Sequence, residues 1–170
     1  MTDVLAFNVN GIPGAQGSKK GFAVRKGGVP TGKVAMRESS DKVKPWRTDV
    51  KTAAEHATGA VGHFDTWTPY AGPVHVSLTF RFPRPKAHYR TGRNAHLLRD
   101  NAPAYPIGRN LGDVDKLERS TFDALTAAGV IADDSLIVRV IADKVWCNPG
   151  ETPGATILVR SMVRPVQAVA

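Results

Sequence analysis

Asp113 and Asp115 stand two residues apart at the start of an apolar-periodic segment, and Asp133 and Asp134 follow as a pair just beyond its end. Carboxylates grouped in this way suit a hard divalent cation, since magnesium prefers carboxylate oxygens and keeps several of its waters. Beside a phosphodiester such an ion lowers the pKa of an attacking water and offsets charge on the leaving oxygen. Arg119 lies four residues after Asp115, on the same helical face, where a cation can steady transition-state charge. Plainer roles compete for the same residues. Asp113 suits a helix N-cap, Asp115 complements the helix dipole, and Asp115 with Arg119 also reads as a surface ion pair. Those roles do not cover Asp133 and Asp134, which fall past the helix C-terminus, where the dipole disfavours negative charge. A turn could use one of them, and an oxygen-ligand site could use one as well. Reach is the obstacle, because a helix from Val114 to Ala128 is about 22 Å long. Asp134 meets Asp113 and Asp115 only if the chain brings it back to the helix start through sheet packing.

The charge around these acids is uneven. From Asp113 to Asp143 there are seven acids and three cations (Lys116, Arg119 and Arg139), whereas the rest of the chain has 20 cations and 8 acids. The formal net charge is +8 and the sequence pI about 9.9, which favours a polyanionic partner. Cations concentrate in two irregular stretches. Lys19, Lys20, Arg25, Lys26 and Lys33 lie in a Gly-rich segment, and Arg81, Arg84, Lys86, Arg90, Arg93, Arg99 and Arg109 are strung through a second one with Tyr89 and Tyr105. A negative metal cradle on a positive body is what a metal-dependent nuclease requires.

The elements that must hold these residues are legible in outline. Val4 to Gly11 alternates as a strand, and residues 12–33 read as a basic, flexible arm. From Pro45 the apolar residues Trp46, Val50, Ala53, Ala54, Ala57 and Val61 recur at helical spacing, and Gly59 and Gly62 stop them. Val74, Val76, Leu78, Phe80 and Phe82 mark a strand with one apolar face. Residues 83–111 show no period and read as a basic flap against nucleic acid or a solvated loop. Val114, Leu117, Thr121, Ala124, Leu125 and Ala128 mark the second helix, closed by Gly129. Two further strands, "SLIVRVIADKVW" and "ATILVRSMV", complete a single α+β domain: a mixed sheet of four to five strands with two or three helices.

Several classes are excluded or demoted. One cysteine, Cys147, permits neither an internal disulfide nor a multi-cysteine zinc site. Gly27 to Val34 ("GGVPTGKV") follows a phosphate-loop pattern until Val34 stands where a magnesium-binding hydroxyl is needed, so no nucleotide cofactor is expected. The five histidines, His56, His63, His75, His88 and His96, make no close ligand pair. No signal peptide or apolar run of about 20 residues is present, so a soluble, cytoplasmic protein without membrane contact is expected.

The segment "GDVDKLERSTFDALTAAGVIADDSLIVRVIADK" resembles the RusA family of Holliday junction resolvases of bacteria and phages. The shared pattern is D-x-D followed by a cation (Asp113, Asp115, Arg119), then F-D-A-L-x-x-A-G (Phe122 to Gly129), then Asp133–Asp134 and a strand ending at Lys144. "NVNGIPGAQGSKKGF" is similar to that family's first strand and basic arm, and "GPVHVSLTFRFPRP" to its next strand. The resemblance implies a homodimer that cuts opposed strands of four-way DNA with magnesium, manganese being able to substitute. By position it implies Asp113, Asp115 and Asp134 as metal ligands within the segment 112–146, with Asp133 the less favoured of its pair. Arg119 stands where relatives carry a lysine; it keeps the charge but presents a fixed fork that suits phosphate clamping better than proton transfer. Lys116, beside Asp115, is placed to share that role, and Lys116 and Lys144 join the arm and flap cations as expected DNA contacts. Two alternatives remain beside a junction resolvase: a nuclease acting also on flaps, forks or R-loops, and a non-catalytic binder of branched DNA.

Overall fold

A computed structural model describes residues 4–17, 20–37, 40–61 and 67–162. Strand β1 (Val4–Asn10) is followed by β2 (Lys20–Lys26), β3 (Val29–Arg37), helix α1 (Val43–Val61), β4 (Val74–Phe82), α2 (Val114–Ala127), β5 (Ile137–Trp146) and β6 (Gly154–Ser161). Lys19, Gly62 and His63 lie outside the described residues. Among the described residues no helix is long and apolar enough to cross a membrane.

Four strands form one sheet in the order β1-β6-β4-β5. β1 and β4 both pair antiparallel with β6, whereas β5 runs parallel to β4, so the sheet is mixed. The chain is thus a single α+β domain with a four-stranded mixed sheet and two α-helices. Alternation decides which sheet face is covered. Val74, Val76, Leu78, Phe80 and Phe82 of β4 are all buried, and Leu5, Val9, Ile157 and Val159 continue that face. Both helices close over it through Trp46, Val50, Ala54, Leu117, Ala124 and Leu125. Trp46 anchors the junction between layers: its ring tilts against Phe80 at 6.2 Å, and its Nε1 donates to Thr121 Oγ1 at 3.1 Å. The opposite face is open. Across it, Arg160 of β6, His75 of β4 and Arg139 of β5 fall in one row.

The helices run in the same general direction. Lys42, just before α1, reaches Asn110, just before α2; further along, Arg47 forms an ion pair with Asp123. Both N-termini therefore lie at the same end of the molecule. Helix α2 stops where its glycine allows: Gly129 takes φ +69°, Val130 N–H donates to Leu125 O and Gly129 N–H to Thr126 O, the paired bonds of a Schellman end. Tyr70 then receives the outgoing chain through a parallel bridge to Ile131.

Three expectations are revised. The arm within residues 12–33 is largely an ordered hairpin, not a flexible loop, with β2 and β3 paired from Lys20↔Arg37 to Lys26↔Val29. Gly27 and Gly28, at φ +57° and +85°, supply the left-handed turn that a tight hairpin needs. Its glycines hid the strand alternation. The 83–111 segment is held by backbone bonds and short 3-10 turns at Lys86–His88, Gly92–Asn94 and Arg109–Leu111. The first helix has Pro45 in its first turn as expected, but it runs from Val43 through Gly59 to Val61 and does not stop at that glycine.

Candidate active site

The acidic end of α2 is built where three chain segments meet. Gly112 takes φ +76°, and a Cβ there would stand 2.3 Å from the Ala15 Cβ, so the chain turns into α2 against the 13–16 segment. Gly14 is equally close-packed, its missing Cβ lying 2.3 Å from Lys42 O. Ser120 Oγ donates to Gly14 O at 2.6 Å and Gln16 N–H to Lys116 O at 3.0 Å, which fastens the 13–16 segment along the first turns of α2. From the sheet, Lys144 Nζ donates to Gly112 O at 2.9 Å.

On this scaffold Asp113 occupies the N-cap position without capping through its side chain. Its carboxylate instead accepts from Lys116 Nζ at 2.6 Å. That bond and the charge of Lys116, with Lys144 farther off, hold the Asp113 carboxyl below the usual carboxylate range and raise the Lys116 ammonium in return. Asp115 is exposed in the first turn and forms no ion pair with Arg119, which is also exposed. Partial burial and the charge of Asp115 push Glu118 upward. Two adjacent carboxylates, one already kept ionised, are hard-oxygen donors of the kind magnesium uses when it binds through one or two carboxylates and its own waters.

Asp133 and Asp134 lie at the other end. Asp133 accepts from Ser135 N–H at 2.9 Å, starting the turn Asp134–Leu136, and this bond lowers its pKa. With 14 residues in α2, that end is about 21 Å from Asp113. Strand β5 gives the same separation: Lys144 touches Gly112, and Ile137 lies seven residues back, about 23 Å along the strand. One chain therefore carries Asp113 and Asp115 at the start of α2 and leaves Asp134 at the other end. No group of three His, Cys, Asp or Glu positioned for a metal occurs among the described residues.

The expected DNA-contacting cations divide by what they touch. Arg84 donates to Pro103 O at 3.1 Å and lies over the Trp146 ring, while Trp146 Nε1 donates to the same carbonyl at 3.0 Å. Arg90 binds Asp100 at 2.7 Å and Leu98 O at 3.2 Å. These two stitch the flap together, a role invisible to periodicity because it runs through irregular backbone. Lys86 and Arg93 are exposed on its surface. In the hairpin, Arg25 reaches Gly28 O at 3.4 Å and Lys26 is exposed; Lys20 lies in the pairing with Arg37. Sequence reasoning passed over Lys42, which the fold carries with Arg109 of the flap to the Asp113 end. The one available signal was its position just ahead of a helix.

A family model described as Endodeoxyribonuclease RusA matches residues 19–160. The chain belongs to the RusA family. It is accordingly an endodeoxyribonuclease, a hydrolase acting on DNA phosphodiester bonds, of a family whose resolvases bind branched DNA. The matched region includes both acidic ends of α2, the flap and the hairpin. No curated protein sequence matches the chain significantly.

Proposed function

We propose that this RusA-family nuclease resolves four-way DNA junctions by paired nicks, using magnesium held by Asp113 and Asp115 and by Asp134 from a second copy. The observation that carries this reading is the start of α2, where Lys116 holds the Asp113 carboxylate and Lys144 from the sheet holds the Gly112 carbonyl just ahead of it, with Asp115 two residues on. A divalent ion bound there supplies the charge that activates water and offsets the leaving oxygen. Lys116 keeps Asp113 ionised in the free protein; an arriving cation takes over that task and leaves the ammonium to meet a phosphate. Arg119, not engaged with Asp115, is a second cation for the charge that develops on the phosphoryl oxygens.

A homodimer accounts for Asp134. Strand β5 is a sheet edge, and it exposes Val138 (61%), Val140 (37%) and Ile141 (42%) near its middle. Exposed apolar edges invite pairing with another strand. If two copies pair β5 antiparallel about an axis near its midpoint, the Asp134 of one copy falls beside the Lys144 end of the other. That end carries Asp113 and Asp115. A two-fold assembly then holds two composite sites, as symmetric cutting of a two-fold junction demands.

The direct test is cleavage of a labelled four-way junction in magnesium, in manganese and in EDTA, beside forked, flapped and linear DNA. Symmetric metal-dependent nicks confined to the junction are expected. Equal cutting of forks and flaps would replace resolution with a broader structure-selective activity, and cutting in EDTA would remove the metal.

A further inference from the structure

Asp113 and Lys116 form one wall of a small cleft whose other wall the metal reading does not use. Its volume is about 180 Å³, below the ~300 Å³ at which small-molecule sites begin, and it equals roughly six waters' share of liquid volume. Lys42, Arg109 and Lys116 line it, arriving from three different segments, and Asp113 is the one carboxylate on its wall among the described residues. Since Lys116 is matched to Asp113, Lys42 and Arg109 remain as net positive charge. Lys42 rests on Asn110 O at a long 3.5 Å, and Arg109 is exposed. Ser40, another lining residue, accepts from Lys42 N–H at 3.3 Å as the chain enters α1.

A second observation is independent of side-chain charge. The N-terminal ends of both helices converge on this cleft, α1 through Ser40 and Lys42 and α2 through Asp113. Helix α1 has 19 residues and no acid in its first turn, the nearest described acid ahead of it being Asp41. Converging helix N-termini and cations from separate segments favour an anion with several acceptor oxygens. The size suits one tetrahedral group.

We propose that this cleft seats the DNA phosphodiester neighbouring the one that is cut, with Lys42 and Arg109 as its grips. The proposal rests on the junction-nuclease reading and adds two positioning residues to it. Holding a flanking phosphate fixes the strand's register, so that the scissile phosphorus arrives at Asp113 and Asp115 without a search.

The test uses the full-length protein and junctions with a single neutral methylphosphonate at each position around the cut site, bound in EDTA over a range of salt. Wild-type protein is expected to lose roughly tenfold in affinity at one flanking position. The Lys42→Gln/Arg109→Gln variant should show a salt slope shallower by about 2 on a log–log plot, one unit per lost contact. It should also be indifferent to the methylphosphonate at that position, while Arg93→Gln keeps the wild-type sensitivity. A wild-type protein equally tolerant of every flanking methylphosphonate overturns the cleft whether or not the variant folds. So does a double variant that retains the full slope and sensitivity. Failure of the wild type to cut any junction in magnesium or manganese would instead remove the parent reading.

Discussion

Asp113 is held by a direct bond from Lys116, whereas Asp115 touches that ammonium and Glu118 only through its charge among the described residues, so the two acids should respond differently to substitution. Asp115→Asn is expected to leave thermal stability unchanged and to lower junction cleavage by more than about 100-fold, beyond what loss of a supporting contact costs a metal site. Asp113→Asn should abolish cleavage equally and also free Lys116, so junction binding in EDTA should tighten. Cleavage at the wild-type rate in either variant would refute the assignment. Gly112→Ala is a structural counterpart: its Cβ meets Ala15 at 2.3 Å on a left-handed backbone, and a loss of about 1–3 kcal/mol is expected in urea unfolding. His75 offers a pH test. Burial, then the charges of Arg139 and Arg160, lower its pKa below 6.5, so the unfolded chain takes up its proton more readily. The stability tied to neutral His75 is fully present above pH 6.5 and is lost as pH falls toward the folded value. Urea midpoints should therefore drop from pH 7.5 to 5 more steeply in the wild type than in His75→Asn. At this scale much was legible, because D-x-D ahead of a helix is a local pattern. The Lys116 and Lys144 contacts were not, since one needs a rotamer and the other a strand arriving from 32 residues away.

The hairpin of β2 and β3 shows how an element can matter without supporting the fold. Phe22, Val29, Val34 and Met36 remain exposed on it, and it joins neither the main sheet nor the buried core. Phe22 is 51% exposed and does not anchor the hairpin in the core. Replacing residues 20–37 by a short Gly-Ser linker should shift Tm by only a few degrees. The same change should reduce the salt dependence of junction binding by about 0.9 for every phosphate contact removed. A large fall in Tm would instead mean that the hairpin packs on the body. Helix α2 and strand β4 were readable because their apolar periods are uninterrupted. The hairpin and flap were not, since one is diluted by glycine and the other is held by Arg84, Arg90 and Trp146 on carbonyl oxygens, which leaves no apolar rhythm.

For the whole molecule the decisive question is whether a complete site belongs to one chain or to two. Asp115→Asn and Asp134→Asn chains should each be inactive alone. Mixed after co-expression, they should regain nicking of a single strand per junction, because one of the two composite sites then has all its acids. If mixing restores nothing, Asp134 does not act across the dimer. No sequence pattern could have revealed this, since the separation of Asp134 from Asp113 is fixed by the direction in which β5 runs against α2. The sheet order has another consequence, for the time course of synthesis. Strand β6, the last of the described strands in chain order, belongs between β1 and β4, the first and the fourth of them. Until it is made, β1 and β4 have no shared neighbour and α1 has only half a floor. A chain stopped at Pro153 should therefore stay largely unfolded and bind no junction, so an interrupted translation product cannot nick the genome of the cell that makes it.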